Sequence, residues 1–196
     1  MTTTGAVILA GGAGRRLGGV DKPSLVVAGR PLLDTAVAAC SGCAEIVVVG
    51  TPRPVQAEVR WTIEEPPGSG PLAALAAGLS ALRLPVSEVT VLAADLPSVT
   101  TDVVARLAAA LSGSEADAVL LTDADGRLQP LTAVYRRGPL ADALRAVGDP
   151  NGKPLRRLLS HLRIATLADG IAGQDIDTPA DLARWCLDSR DRKEDE

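Results

Sequence analysis

Continuously apolar runs of strand length alternate along this chain with stretches in which Leu, Val and Ala recur every three or four residues. Ala6 to Ala10, Ile46 to Val49 and Val89 to Ala93 are hydrophobic almost throughout, the pattern of strands buried on both faces of a parallel sheet. Between and after them, Pro31 to Ala39, Leu72 to Leu82, Thr101 to Leu111 and Pro139 to Val147 carry helical periodicity, and three of these begin with Pro or Thr, residues that suit a helix start. The β-α-β-α order predicts an α/β fold with right-handed crossovers: a doubly wound, mostly parallel, Rossmann-like sheet. The rhythm changes in the second half. Asp125-Gly126, a tight-turn dipeptide, separates the apolar runs Ala118 to Leu121 and Leu131 to Tyr135, which predicts an antiparallel strand or hairpin there.

Composition narrows the class. The 196 residues are 46% hydrophobic and 22% charged, enough apolar material for a core without disulfides or a structural metal. We expect one domain over 1–187, followed by a solvated tail over 188–196 in which nearly every residue is charged. Only 2% of residues are aromatic and none is Phe, so small aliphatic side chains must fill the core and the helices should pack close to the sheet. No apolar run approaches the roughly 18–20 residues of a membrane span, and the first residues lack a signal peptide's basic start, so a cytoplasmic location is expected. The net charge of −4 supplies no field for nucleic acid or an acidic membrane. Any bound anion must be captured locally. Cys40 and Cys43 form a Cys-x-x-Cys pair, but between a predicted helix and the following strand, not at the helix start that a redox pair uses. With His161 and Cys186 as the only further soft ligands and no recognised spacing, a zinc site is not supported.

The loop after the first strand is where an open α/β sheet binds ligands. It reads Leu9-Ala10-Gly11-Gly12-Ala13-Gly14-Arg15-Arg16-Leu17-Gly18-Gly19-Val20-Asp21-Lys22-Pro23. Its glycines free backbone N–H groups to close around phosphate oxygens, while two arginines and a lysine add charge. It is not a Walker loop, because Gly14 to Gly19 has the spacing but Val20-Asp21 follows in place of Lys-Ser or Lys-Thr. It is not the dinucleotide fingerprint either, since the last glycine of that pattern falls on Leu17.

These residues resemble the signature loop of the MobA-type nucleotidyltransferases, the molybdenum cofactor guanylyltransferases. The resemblance extends to Gly70-Pro71-Leu72, Asp95-Leu96-Pro97, Gln129-Pro130-Leu131 and Asp175-Ile176-Asp177-Thr178-Pro179, in family order over nearly the whole chain. It implies a nucleotide-diphospho-sugar transferase-like version of the α/β fold. By the same resemblance, Leu9, Ala10 and Gly11 line the nucleotide, Gly12, Gly14, Arg15 and Arg16 wrap the phosphates, and Lys22 reaches the α-phosphate. Glu65 falls where the family tends to carry an aspartate near the base. Glu64 is an alternative for that role, since a carboxylate at either place can accept two bonds from guanine.

Nucleotidyl transfer calls for a divalent ion at the phosphates. Asp95, after the buried strand, is a candidate Mg²⁺ ligand, although an Asp so placed also caps helices. Asp177, or Asp175, is a candidate second ligand if the chain returns to the same cleft, and Thr178-Pro179 reads equally as a helix start. Lys153, Arg156 and Arg157 are open between acceptor contacts and a solvated face. The expected reaction moves GMP from GTP to the terminal phosphate of molybdenum-molybdopterin, releasing pyrophosphate, with Lys22, Arg16 and Asp95 as its catalytic residues. The implied partners are GTP, molybdenum-molybdopterin and downstream cofactor-biosynthesis proteins or apo-molybdoenzymes. Two alternatives remain open: a cytidylyltransferase, because Asp-Ile-Asp-Thr-Pro also resembles the related molybdenum cofactor cytidylyltransferases, and a nucleotide-binding adaptor without turnover.

Overall fold

The computed structural model describes residues 3–11, 21–174, 176, 181 and 185. Its seven-stranded sheet is built from β1 (Thr4–Leu9), β4 (Ile46–Val49), β5 (Arg60–Thr62), β6 (Glu88–Ala93), β7 (Ala118–Thr122), β8 (Leu128–Arg136) and β9 (Ile164–Ala168), and β2 (Val26–Val27) pairs with β3 (Arg30–Pro31) in a separate ribbon. The sheet order is β5-β4-β1-β6-β8-β7-β9. In this sheet β8 runs antiparallel to both of its neighbours and every other pairing is parallel. This is the expected mostly parallel sheet with its antiparallel insertion, turned at Gly126, whose φ of +75° a glycine adopts without strain.

Helices α1 (Leu32–Ala39), α2 (Pro71–Ala81), α3 (Thr101–Ser112), α4 (Arg137–Val147) and α5 (Arg156–Leu159) cover the two faces. Alternation along the strands assigns them. Val7 and Leu9 of β1 point with Val47 and Val49 into one core with α2, α4 and α5, whereas Ala6 and Ile8 point with Ile46 and Val48 into the other with α1 and part of α3. Both sets are buried, which is why the runs read as continuously apolar. Thr100 caps α3, its hydroxyl accepting from the Val103 N–H at 3.4 Å.

The close packing expected of an aromatic-poor chain is met at Gly78 of α2. A Cβ there would stand 2.3 Å from Val7 Cγ1 and 2.9 Å from Val49 Cγ2. Strands β5 and β9, the β2–β3 ribbon and α5 are elements that apolar patterning alone did not predict. β5 and β9 are the edge strands, and both are partly exposed. Cys40 ends α1 and Cys43 precedes β4, the expected placement, while His161 is exposed just beyond α5. Among the described residues no helix is long and apolar enough to cross a membrane.

Candidate nucleotide site

The carboxyl ends of β1, β4 and β6 open into a cleft of about 870 Å³ whose far wall is the amino-terminal part of β8. Three backbone ties draw these ends together. The Ala10 N–H donates to the Val49 carbonyl at 2.8 Å, the Ala94 N–H to the Leu9 carbonyl at 3.0 Å, and the Gly50 N–H to the Thr62 carbonyl at 2.8 Å. Gly50 has φ of +144°, and a Cβ on it would meet the Ala10 carbonyl at 3.0 Å, so the loop after β4 can press against the loop after β1 only because this residue has no side chain.

Leu9, Ala10, Gly11, Lys22 and Asp95 all line this cleft. Lys22 opens a short 3-10 turn, Lys22–Ser24, whose Pro23 is buried. Its ammonium lies 3.5 Å from a carboxylate oxygen of Asp95, with 17% and 23% of the two side chains exposed. Asp95 sits in the turn directly after β6, and its carbonyl accepts from the Ile176 N–H at 3.2 Å. The chain thus does return to the carboxyl end of β6, as a second metal ligand there would require. Asp175 and Asp177 themselves lie outside the described residues, as do Gly12, Gly14, Arg15, Arg16 and the tail over 188–196.

On the opposite wall, α2 begins at Pro71 behind Gly70, and Gly68, Gly70 and Pro71 line the cleft. The two acidic candidates separate here. Glu65 is exposed and is not among the lining residues, whereas Glu64 is buried, lines the cleft and accepts from the Gly68 N–H at 3.0 Å. Of the basic residues left open in sequence between acceptor contacts and a solvated face, Lys153 donates to the Val147 carbonyl at 2.8 Å and Arg156 and Arg157 are exposed; their neighbour Leu155 reaches the cleft.

Two features went unnoticed in the sequence. The first is Arg53, a cleft residue that grips Asp21: Nε donates to Oδ2 at 2.7 Å and Nη2 donates to Oδ1. The second is the shape of β8. Its pairing with β7 jumps from Leu120↔Ala133 to Leu121↔Gln129, so Pro130, Leu131 and Thr132 bulge away from β7 and, with Gln129, line the cleft. Pro130, which has no N–H for a ladder, is the sequence signal for that irregularity. The Pro130 carbonyl accepts from the hydroxyl of the fully buried Tyr135 at 2.7 Å.

A cleft at the carboxyl ends of parallel strands, floored by glycines and carrying an apposed lysine and aspartate, is suited to a phosphorylated ligand. Comparison with known proteins gives the same direction. The model of the MobA-like NTP transferase domain matches residues 6–166. The chain belongs to this family. Membership makes it a nucleotidyltransferase by descent. Over 93% of its length the chain is 30% identical to the molybdenum cofactor guanylyltransferase of a Bradyrhizobium species, covering 91% of that protein. A probable molybdenum cofactor guanylyltransferase of a Nostoc species is 33% identical over 93% of this chain and 90% of its own. Among solved structures, molybdopterin-guanine dinucleotide biosynthesis protein A from Archaeoglobus fulgidus shares the fold of this MobA-like chain with a TM-score of 0.74 at 22% identity, over 95% of this chain and 99% of that one. So does 2-C-methyl-D-erythritol 4-phosphate cytidylyltransferase from Thermus thermophilus, with a TM-score of 0.69 at 21% identity, over 97% and 100% of the two chains.

Proposed function

We propose that the chain transfers GMP from GTP to the terminal phosphate of molybdenum-bound molybdopterin and releases pyrophosphate, as a cytoplasmic enzyme. The observation that carries this reading is the Lys22–Asp95 pair, 3.5 Å apart in the cleft where β1 and β6 end. The near full-length likeness to guanylyltransferases supplies the substrate class.

In this reading Leu9, Ala10 and Gly11 present backbone groups to the nucleoside, and Gly12, Gly14, Arg15 and Arg16 close on the phosphates. Lys22 faces the α-phosphate, where negative charge is redistributed as the bond to pyrophosphate breaks. Guanine is selected by an acidic residue before the Gly68–Gly70 turn, with the cleft-lining Glu64 assigned to it and the exposed Glu65, the position the resemblance pointed to, as its alternate. A carboxylate accepts from the N1–H and exocyclic amine of guanine together, a pairing cytosine does not offer.

The residues present fit a divalent ion. Mg²⁺ takes one or two carboxylates and completes its shell with phosphate and water oxygens, and Asp95 offers a partly exposed carboxylate in the cleft. Asp95 would hold the ion, with Asp177 as a second ligand, and the ion would offset charge on the triphosphate. The acceptor phosphate is already an anion at neutral pH, so no side chain has to remove a proton from it.

The test is a matrix of the four nucleoside triphosphates against molybdopterin acceptors, read as pyrophosphate release. Turnover with GTP and acceptor supports the assignment. A CTP preference moves the chain to the cytidylyltransferases, the reading that the Asp-Ile-Asp-Thr-Pro segment favours. GTP binding with no turnover makes it an adaptor.

A further inference from the structure

Arg53 belongs to neither the glycine loop nor the acidic segments, yet the fold places it against the turn that carries Lys22. Its guanidinium donates three ways: from Nε to Asp21 Oδ2 at 2.7 Å, from Nη2 to Asp21 Oδ1, and from Nη1 to the Thr51 carbonyl at 2.7 Å. The side chain is only 18% exposed although it lines an open cleft, so it is held in place, not left to sample solvent. Asp21 in turn organises the residues after it. Its carboxylate accepts from the Ser24 hydroxyl, and its carbonyl accepts from the Ser24 N–H at 3.0 Å.

A single 3-10 turn has little stability of its own. Lys22 stands on such a turn, tied locally by the Leu25 N–H donating to the Lys22 carbonyl at 3.0 Å. The Arg53–Asp21 fork bridges 32 positions of sequence and fastens that turn to the loop after β4, which Gly50 has already brought against β1. A planar bidentate pair fixes direction as well as distance, which a lysine in the same place would not do. The fork also acts on charge. Arg53 holds the Asp21 carboxyl below its ordinary range, and with that guanidinium gone an uncompensated anion would stand beside Lys22 at the entrance for a polyanion.

We propose that Arg53 is a positioning residue for Lys22: through its fork on Asp21 it fixes the 21–24 turn and cancels the Asp21 charge, so that Lys22 meets a nucleoside triphosphate in a prepared position. The proposal rests on the nucleotide-transfer reading of the same cleft.

The experiment measures binding of a fluorescent GTP analogue with Mg²⁺, together with amide hydrogen exchange, on the full chain. Arg53→Ala should weaken the analogue roughly tenfold or more, the loss expected of a charge-assisted pair, and speed exchange over residues 21–25 while β1 and β6 keep their protection. Arg53→Lys should recover only part of the affinity. Adding Asp21→Asn to Arg53→Ala should cause no further loss, because the two residues act as one unit. Methylguanidinium should restore part of the affinity to Arg53→Ala and none to Lys22→Ala. Unchanged affinity in Arg53→Ala, or fully additive losses in the double variant, overturns the proposal. Failure of the wild-type chain to bind the analogue overturns guanylyl transfer instead. Exchange over 21–25 then decides the clamp by itself: acceleration confined to that turn in Arg53→Ala upholds it, and unchanged rates overturn it.

Discussion

The Lys22 ammonium and the Asp95 carboxylate meet at 3.5 Å, joining a turn after β1 to a turn after β6. An ion pair in an open cleft contributes about 0–1 kcal/mol to folding, so its placement is explained better by what the two charges can hold. Lys22→Ala and Asp95→Asn should each reduce pyrophosphate release by two or more decades, on the order of 3 kcal/mol of lost transition-state stabilisation, with thermal midpoints close to wild type. Turnover within a few-fold of wild type for either variant would sink the assignment of this pair.

The wall opposite the pair depends on Tyr135, the only tyrosine of the chain. It is fully buried, and its hydroxyl satisfies the Pro130 carbonyl at 2.7 Å. Burial also raises the phenol's pKa well above its ordinary value, so the group stays a neutral donor throughout the usable pH range. Tyr135→Phe keeps the ring and leaves that carbonyl without its partner, for a loss of about 1–2 kcal/mol. Denaturant unfolding measures the loss. Because Gln129 to Thr132 line the cleft, the apparent KM for a substrate held there should rise by more than kcat falls; equal stability in the two proteins would show that the bulge is held by other means.

Much of this architecture is legible in the sequence because burial on both faces writes a strand as an unbroken apolar run, as Ile46–Val49 does. The edge strand β5 leaves no such unbroken run. Arg60-Trp61-Thr62 is half-buried along its whole length, and its only trace is the apolar–polar alternation from Val59 to Glu64. The proline in β8 misleads in another way: a strand reading that begins after Pro130 misses the residues from Leu128 on, although these are the ones that shape the cleft. For the site, each half of the Lys22–Asp95 pair follows a readable strand, so topology alone brings the halves to the same sheet edge. Arg53 follows no motif, and its relation to Asp21 exists only once β4 lies beside β1. Glu64 and Glu65 could not be told apart in sequence, because adjacent residues leaving a strand face opposite ways and the pattern carries no phase once the strand has ended.

Gly78 provides a test of how closely α2 lies on the sheet. Replacing a helical glycine by alanine normally gains up to about 1 kcal/mol. Here the new Cβ would fall 2.3 Å from Val7 Cγ1 and 2.9 Å from Val49 Cγ2, and overpacking of this kind costs about 1–3 kcal/mol. Gly78→Ala should therefore be destabilising on balance, by about 1–2 kcal/mol, and Val7→Ala in the same chain should recover part of the loss. A stabilised Gly78→Ala would mean that helix and sheet stand farther apart.

Acid should loosen the β7–β9 edge through Asp117. This buried carboxylate accepts from Arg163 three times: Nη2 to Oδ1 at 2.8 Å, and the backbone N–H at 2.9 Å and Nε at 3.1 Å to Oδ2. Hydrogen bonding by the Arg163 side chain is the main cause holding its pKa below the ordinary value, against the opposing effect of burial. Because the folded-state value is the lower one, the contribution is fully present above the unfolded carboxylate range, about pH 4 and upward, and is lost as pH falls through the folded value. Asp117→Asn keeps the shape but accepts at one oxygen only. Its melting temperature should lie below wild type at pH 7, and the gap should narrow as the buffer is taken below about pH 4. A gap of constant size from pH 7 down to acid unfolding would mean that the charge on Asp117 contributes nothing to this edge.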